Sequence, residues 1–124
     1  MEERTSCPVY YEAKSRALKN GDLFHLAAYT RDGRIGVNRQ SRSTAKFRKR
    51  YSNSRETYHE IHAEVDLVIH SKVIPKRINV VRFFKDGTPT MAKPCVHCQN
   101  FLRMKGVETV RYTNWDGEWE EMRL

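Results

Sequence analysis

The chain predicts an α/β fold in which helices pack on a central mixed sheet of five strands. Three observations carry that prediction. Helical and strand patterns alternate along the sequence. The apolar run Ile78-Asn79-Val80-Val81-Arg82-Phe83-Phe84 has the composition of a buried strand. Two tight turns, Arg31-Asp32-Gly33-Arg34 and Trp115-Asp116-Gly117, each join a pair of strands.

Residues from about Pro8 to Asn20 read as the first helix, with Ala13, Ala17 and Leu18 at helical spacing and Asn20-Gly21 as the stop. Phe24–Thr30 and Ile35–Asn38 are the strands of the first hairpin. The segment after Asn38 is rich in Ser, Arg and Lys without a period, so it reads as a loop. Ala63–Lys72 carries Val65, Leu67, Val68 and Ile69 and predicts a helix with a wide buried face. Ile78–Phe84 is the strand that follows, closed by Asp86-Gly87. Pro94 opens a third helix, through Cys98, Phe101 and Leu102 to a stop at Gly106. Val107–Thr113 and Glu118–Leu124 are the last two strands, and the turn between them is short enough to force them antiparallel. With no internal repeat or linker, residues 1–124 are expected to form one domain.

Composition narrows the function classes. No apolar stretch is long enough to cross a bilayer, and the charged N-terminus MEERTSCPVY lacks the apolar segment of a signal peptide. The expected setting is cytoplasmic, without membrane contact. Cys95-x-x-Cys98 in a reducing compartment points to a metal or a redox pair, while Cys7 stands apart as an inert thiol. Arg39, Arg42, Lys46, Arg48, Lys49, Arg50 and Arg55 form a basic segment with no acidic residue. Those seven residues account for nearly all of the net charge of +8. Such a concentration attracts phosphate, on a nucleotide or along a nucleic acid.

The chemistry is carried by His62-Ala63-Glu64 and Pro94-Cys95-Val96-His97-Cys98. Either half alone is a weak signal. Together, each opens a predicted helix. At i, i+3 both sulfurs lie on one helical face and reach one ion, and the positive end of the helix favours thiolates. His62 supplies a third ligand, leaving a fourth tetrahedral position open to water, as in catalytic zinc sites. Zinc lowers the pKa of such a water towards ~7. Glu64, two residues from His62, points elsewhere and is placed to move protons rather than to ligate. His97 projects off the cysteine face. His25, His59 and His70 lack a partner pattern, and Phe83, Phe84, Trp115 and Trp119 read as core or interface residues.

In these motifs the sequence resembles the cytidine and deoxycytidylate (CMP/dCMP) deaminase superfamily, whose signature is H-x-E followed by P-C-x-x-C. The likeness extends over roughly Leu23–Leu124. Ala92-Lys93-Pro94-Cys95 is similar to small, phage-encoded members of the dCMP-deaminase-like group. The resemblance implies a cytidine deaminase-like three-layer fold, a Zn2+ cofactor, homo-oligomeric assembly and a cytosine nucleoside or nucleotide as substrate. It also implies Glu64 as the catalytic proton carrier, His62, Cys95 and Cys98 as zinc ligands, the Ala63 amide facing the base carbonyl, and Asn38 of Gly36-Val37-Asn38 binding the sugar. Asp66 departs from the pattern, standing where the nucleotide branch usually has Asn.

Three readings stand at this point. The leading one is hydrolytic deamination of free CMP, dCMP or their nucleosides to uracil and ammonia, with Arg39, Lys49 and Arg50 of the basic loop holding the phosphate. The second is a deaminase of single-stranded DNA cytosine or tRNA adenosine, with that loop tracking the polynucleotide. The superfamily's nucleic-acid editors usually insert a helix between the last two strands, and this chain has no room for one. The third is a non-catalytic zinc module that binds nucleic acid, against which stands the count of three protein ligands rather than four.

Overall fold

The computed structural model describes residues 7–19, 25–40 and 60–124. Helix α1 (Pro8–Leu18) begins on the predicted proline and ends at Lys19, whose N–H bonds to the Ala17 carbonyl. Tyr10, Ala13 and Ala17 form its buried stripe. The stop expected at Asn20-Gly21, and the strand start at Phe24, lie outside the described residues. Strands β1 (Leu26–Tyr29) and β2 (Ile35–Val37) pair antiparallel across the predicted turn. In that turn the Gly33 amide donates to the Thr30 carbonyl, with Gly33 at a positive φ of 106°.

The segment expected to be wholly loop contains a strand at each end. Strand β3 (Arg39–Gln40) pairs antiparallel with β4 (Glu60–Ile61), so Arg39 belongs to a two-stranded ribbon. The basic residues Arg42–Arg55 lie outside the described residues. Helix α2 (Ala63–Ile69) is shorter than the predicted Ala63–Lys72. The Ser71 hydroxyl bonds back to the Leu67 carbonyl and its amide to the Val68 carbonyl, which closes the last turn early.

Strand β5 (Arg77–Phe83) is followed by a pairing absent from the sequence reading. The Asp86-Gly87 turn returns the chain as β6 (Pro89–Thr90), antiparallel to β5. Helix α3 spans Val96–Lys105 and ends on Gly106, which is left-handed at φ 102°. It starts two residues later than the proline-based expectation, with Cys95 as its N-cap. Strands β7 (Thr109–Thr113) and β8 (Trp119–Arg123) are antiparallel, as the short turn requires.

These strands build one mixed six-stranded sheet. Its path is β2-β1-β5-β7-β8, with β6 paired to β5 off that path. β5 and β7 are parallel, joined through α3, and the other pairs are antiparallel. The pleat divides the core in two. Ala27, Tyr29, Val81 and Phe83 face α1 on one side. Ala28, Ile78, Val80, Val110 and Tyr112 meet the residues of α2 and α3 on the other. The starts of α2 and α3 are thereby held over one sheet face, and that is what positions the site. No helix among the described residues is long and apolar enough to cross a membrane.

Candidate metal centre and its cavity

His62 and Cys95 occupy equivalent places in the fold, because each is the N-cap of a helix. Their backbones are extended (φ −68°, ψ 155° and φ −68°, ψ 166°), and neither side chain caps its own helix. Polar N-cap side chains ordinarily fold back onto the first turn. Here both turn away from it. The His62 carbonyl still accepts the first helical bond, from the Asp66 amide, and the Cys95 carbonyl accepts from Gln99.

Cys98 in the first turn of α3 completes a group. His62 Nδ1 lies 3.2 Å from Cys98 Sγ and 3.8 Å from Cys95 Sγ. All three donor atoms fall within 4.8 Å of one another. Tetrahedral bond lengths of ~2.0 Å to nitrogen and ~2.3 Å to sulfur put such atoms about 3.5 Å apart. The donor set therefore fits one metal ion. His97 is not part of it.

Electrostatics agree with that fit. Cys98 donates to Cys95 and so stabilises its thiolate; His62 adds to the effect, and together they outweigh burial to bring the Cys95 thiol down to about 4. The same hydrogen bond, reinforced by burial, pushes Cys98 well above the ordinary thiol value. The two sulfurs hold one proton between them, which an ion with affinity for thiolate would displace.

Glu64 lies one residue into α2, 1% exposed, with Oε1 unpaired among the described residues. Burial lifts its carboxyl to about 7, against a smaller opposing pull from His62. A buried carboxyl with an orphaned oxygen is costly unless it serves chemistry. His62, Glu64 and Cys95 all line one open cavity of about 160 Å³, shared with Asn38, Arg82 and Lys93.

Three consecutive residues clasp the start of α2. A Cβ on Gly36 would sit 2.4 Å from the Ala63 carbonyl oxygen and 2.5 Å from the Leu67 nitrogen, so only glycine admits the helix this close. The Val37 amide donates to Asp66 Oδ2 at 3.1 Å. The Ala63 amide donates to Asn38 Oδ1 at 3.0 Å. The structure thus gives the Ala63 amide, expected to meet a base carbonyl, a partner inside the protein. Asn38 is 1% exposed, lines the cavity and also steadies the turn that carries His62 and Glu64.

The remaining histidines have structural partners where described. His25 Nδ1 lies 3.0 Å from the Ala17 carbonyl, and His70 Nδ1 lies 2.8 Å from the Asp66 carbonyl. His59, Lys49 and Arg50 lie outside the described residues, and Cys7 is buried beside α1. Phe83 is buried and Trp119 half-buried, whereas Phe84 and Trp115 are exposed.

Sequence reasoning missed Arg82 and Lys93 as cavity residues. The signal was present in each case. Arg82 is the lone cation in the apolar run Ile78–Phe84, and Lys93 abuts Pro94-Cys95. The chain matches no family model, no curated protein and no solved structure.

Proposed function

We propose that the protein is a zinc-dependent hydrolytic deaminase of a cytosine base carried by a small nucleoside or nucleotide. One observation carries the reading. Three metal-type donors form one cluster, and two of them, His62 and Cys95, line the same cavity as the fully buried Glu64, whose Oε1 has no partner among the described residues.

His62, Cys95 and Cys98 are the residues that would hold the ion. When bound, zinc would supply a Lewis acid that makes water more acidic. Glu64 supplies the proton traffic. With its carboxyl near neutrality, it accepts a proton from the attacking water and returns it to ring N3, then takes the remaining proton from the new C4 hydroxyl and gives it to the departing amine. Water adds at C4, the C4–N bond breaks, and uracil and ammonia leave. Asn38 holds the Ala63 turn, so Glu64 stays aimed into the cavity. Leu26 and Met91 give the cavity apolar wall suited to a planar base.

The antiparallel pairing of β7 with β8 supports a free substrate. By the resemblance stated above, nucleic-acid editors of the superfamily carry a helix between those strands. Only Asn114–Glu118 separate them here.

The test is ammonia release from a panel of cytosine and adenine nucleosides, nucleotides and oligonucleotides. Activity is expected on cytosine nucleosides or nucleotides. Glu64→Gln should retain zinc and lose turnover by ~10²–10⁴ or more, since one group serves several proton transfers. A Glu64→Gln variant with half the normal rate would mean that another group moves the protons.

A further inference from the structure

We infer that Gln99 is a positioning residue of the metal centre: it holds the two peptide planes on either side of Cys95 and thereby aims that sulfur at the ion. The inference rests on the reading of His62, Cys95 and Cys98 as ligands, and not on the identity of the substrate.

Cys95 has two duties that conflict. As the N-cap of α3 it stands where a polar side chain ordinarily bonds back to the first turn and fixes the entry of the chain. Its sulfur is instead in the donor cluster and makes no capping bond. A capping box would set Glu or Gln at the third helical position to bond the N-cap amide. That position is Cys98, another donor of the cluster. Both residues that usually lock a helix start are thus taken up by the metal centre.

Gln99, the next residue, takes over the task with the opposite polarity. Its side-chain Nε2 donates to the Pro94 carbonyl at 2.7 Å. Its main-chain amide donates to the Cys95 carbonyl at 2.9 Å. The first bond holds the peptide plane that leads into Cys95, and the second holds the plane that leaves it. With both planes held, the Cys95 backbone stays at φ −68° and ψ 166°, which sets the direction of its Cα–Cβ bond.

The segment before α3 needs such a hold. Residues 91–95 belong to no helix or strand. The Ala92 amide ties one end to β7, 2.8 Å from the Thr113 carbonyl, and Gln99 ties the other. His62 is served in the same way. It too is an N-cap whose side chain leaves its helix, and there Asn38 Oδ1 accepts from the adjoining Ala63 amide. Each N-cap ligand therefore has a second polar side chain fastening a peptide next to it. Gln99 has no place in the apolar core, since the buried face of α3 is Cys98, Phe101 and Leu102 and Gln99 is half-buried beside it.

The experiment reads metal binding rather than turnover. Zinc affinity is measured by competition with a chromophoric chelator for wild type, Gln99→Met, Gln99→Glu and Gln99→Lys, and the absorption spectrum is recorded for each protein loaded with cobalt. Met keeps the length of the side chain without a donor, Glu sets an acceptor against the Pro94 carbonyl, and Lys returns a donor. Gln99→Met and Gln99→Glu are expected to bind zinc about 10- to 100-fold more weakly, the usual effect of removing a group that orients a ligand. Their sulfur-to-cobalt charge-transfer band should be weaker per bound ion, because Cys95 no longer stays on the metal. Gln99→Lys should recover most of the affinity and of the band.

A hydrogen bond with a purely structural role would lower the unfolding midpoint of the metal-stripped variants and leave affinity and spectrum as in wild type. That result would overturn the inference, as would a Gln99→Lys protein that binds as weakly as Gln99→Met. If either Gln99→Met or Gln99→Glu fails to fold, the other decides. Failure of wild type to bind zinc would remove the metal centre itself and the role of Gln99 with it. Zinc held equally by all four proteins would remove the role of Gln99 alone.

Discussion

Gly36 shows how a residue with no chemistry can govern a site that has much. Its missing Cβ lets the backbone of Ala63 and Leu67 come against β2, and that contact sets where His62 and Glu64 begin. Gly36→Ala forces 2.4 Å and 2.5 Å contacts with backbone atoms, which cannot turn aside as a side chain could. The variant is expected to lose about 1–3 kcal/mol or more in urea unfolding, and metal affinity with it. Unchanged stability would mean that the helix slides outward at little cost. Glu64 gives a second outcome at this scale. Its folded value, raised to about 7 from 4.5, means that the metal-free fold binds its proton more tightly than the unfolded chain does. Stability owed to this group is therefore fully present in acid and is lost as pH rises through about 7. Glu64→Gln removes the titration. The Cys98 thiol, which the Glu64 charge also pushes up, shifts the difference in the same direction. In urea unfolding of the metal-stripped proteins at pH 5 and pH 8, the variant should gain stability over wild type at the higher pH. A gap that does not widen with pH would show Glu64 to be solvated.

At the scale of elements, the sequence was readable where turns and periodicity speak for themselves. The Asp-Gly turn at 32–33, the proline that starts α1, the glycine that ends α3 and the short β7–β8 turn are local instructions, and the structure follows them. The ribbon of β3 with β4 and the pairing of β6 with β5 were not readable. Each strand is two residues long, too short for a period, and both pairings exist only through their partners. The early end of α2 and the late start of α3 have the same cause, since side-chain and cap contacts outrank propensity within a turn. Asp66 belongs here too. It was visible as a departure from a motif, yet its role depends on β2 being a sheet edge, a fact of topology. The Val37 amide at that edge donates to Asp66 Oδ2. Asp66→Ala should cost about 1–3 kcal/mol by orphaning that amide, while Asp66→Asn keeps an accepting oxygen and should cost less. Unfolding curves of the two variants give the comparison, and equal losses would place the effect in the Asp66–His70 pair at 3.3 Å instead.

For the whole molecule, an ion in the candidate centre would staple together two helices that already pack on each other. His62 comes from the start of α2, and Cys95 and Cys98 come from the start of α3, 33 residues further on from His62 to Cys95. The two helices pack on each other above one sheet face, so an ion held by all three side chains locks the layer to itself. The site was legible as a motif because its ligands sit in two short, local patterns. Its other wall was not, because Arg82 and Lys93 reach the cavity only once β5 and β6 have paired. An ion that binds the folded chain and not the unfolded one stabilises it by mass action, about 2.7 kcal/mol at a hundredfold excess over the dissociation constant. For a chain of this size that corresponds to a rise of roughly 10 °C in the midpoint of thermal unfolding. Adding zinc to the stripped protein is expected to produce such a rise, and a chelator should reverse it. Cys98→Ser removes a donor that is 1% exposed and should abolish the rise, because the hydroxyl is a poor substitute for thiolate. Glu64→Gln leaves all three donors in place and should keep the rise in full, which separates metal binding from catalysis. A Cys98→Ser protein that zinc stabilises as much as wild type would show that the ion binds elsewhere, and the staple would lose its central argument.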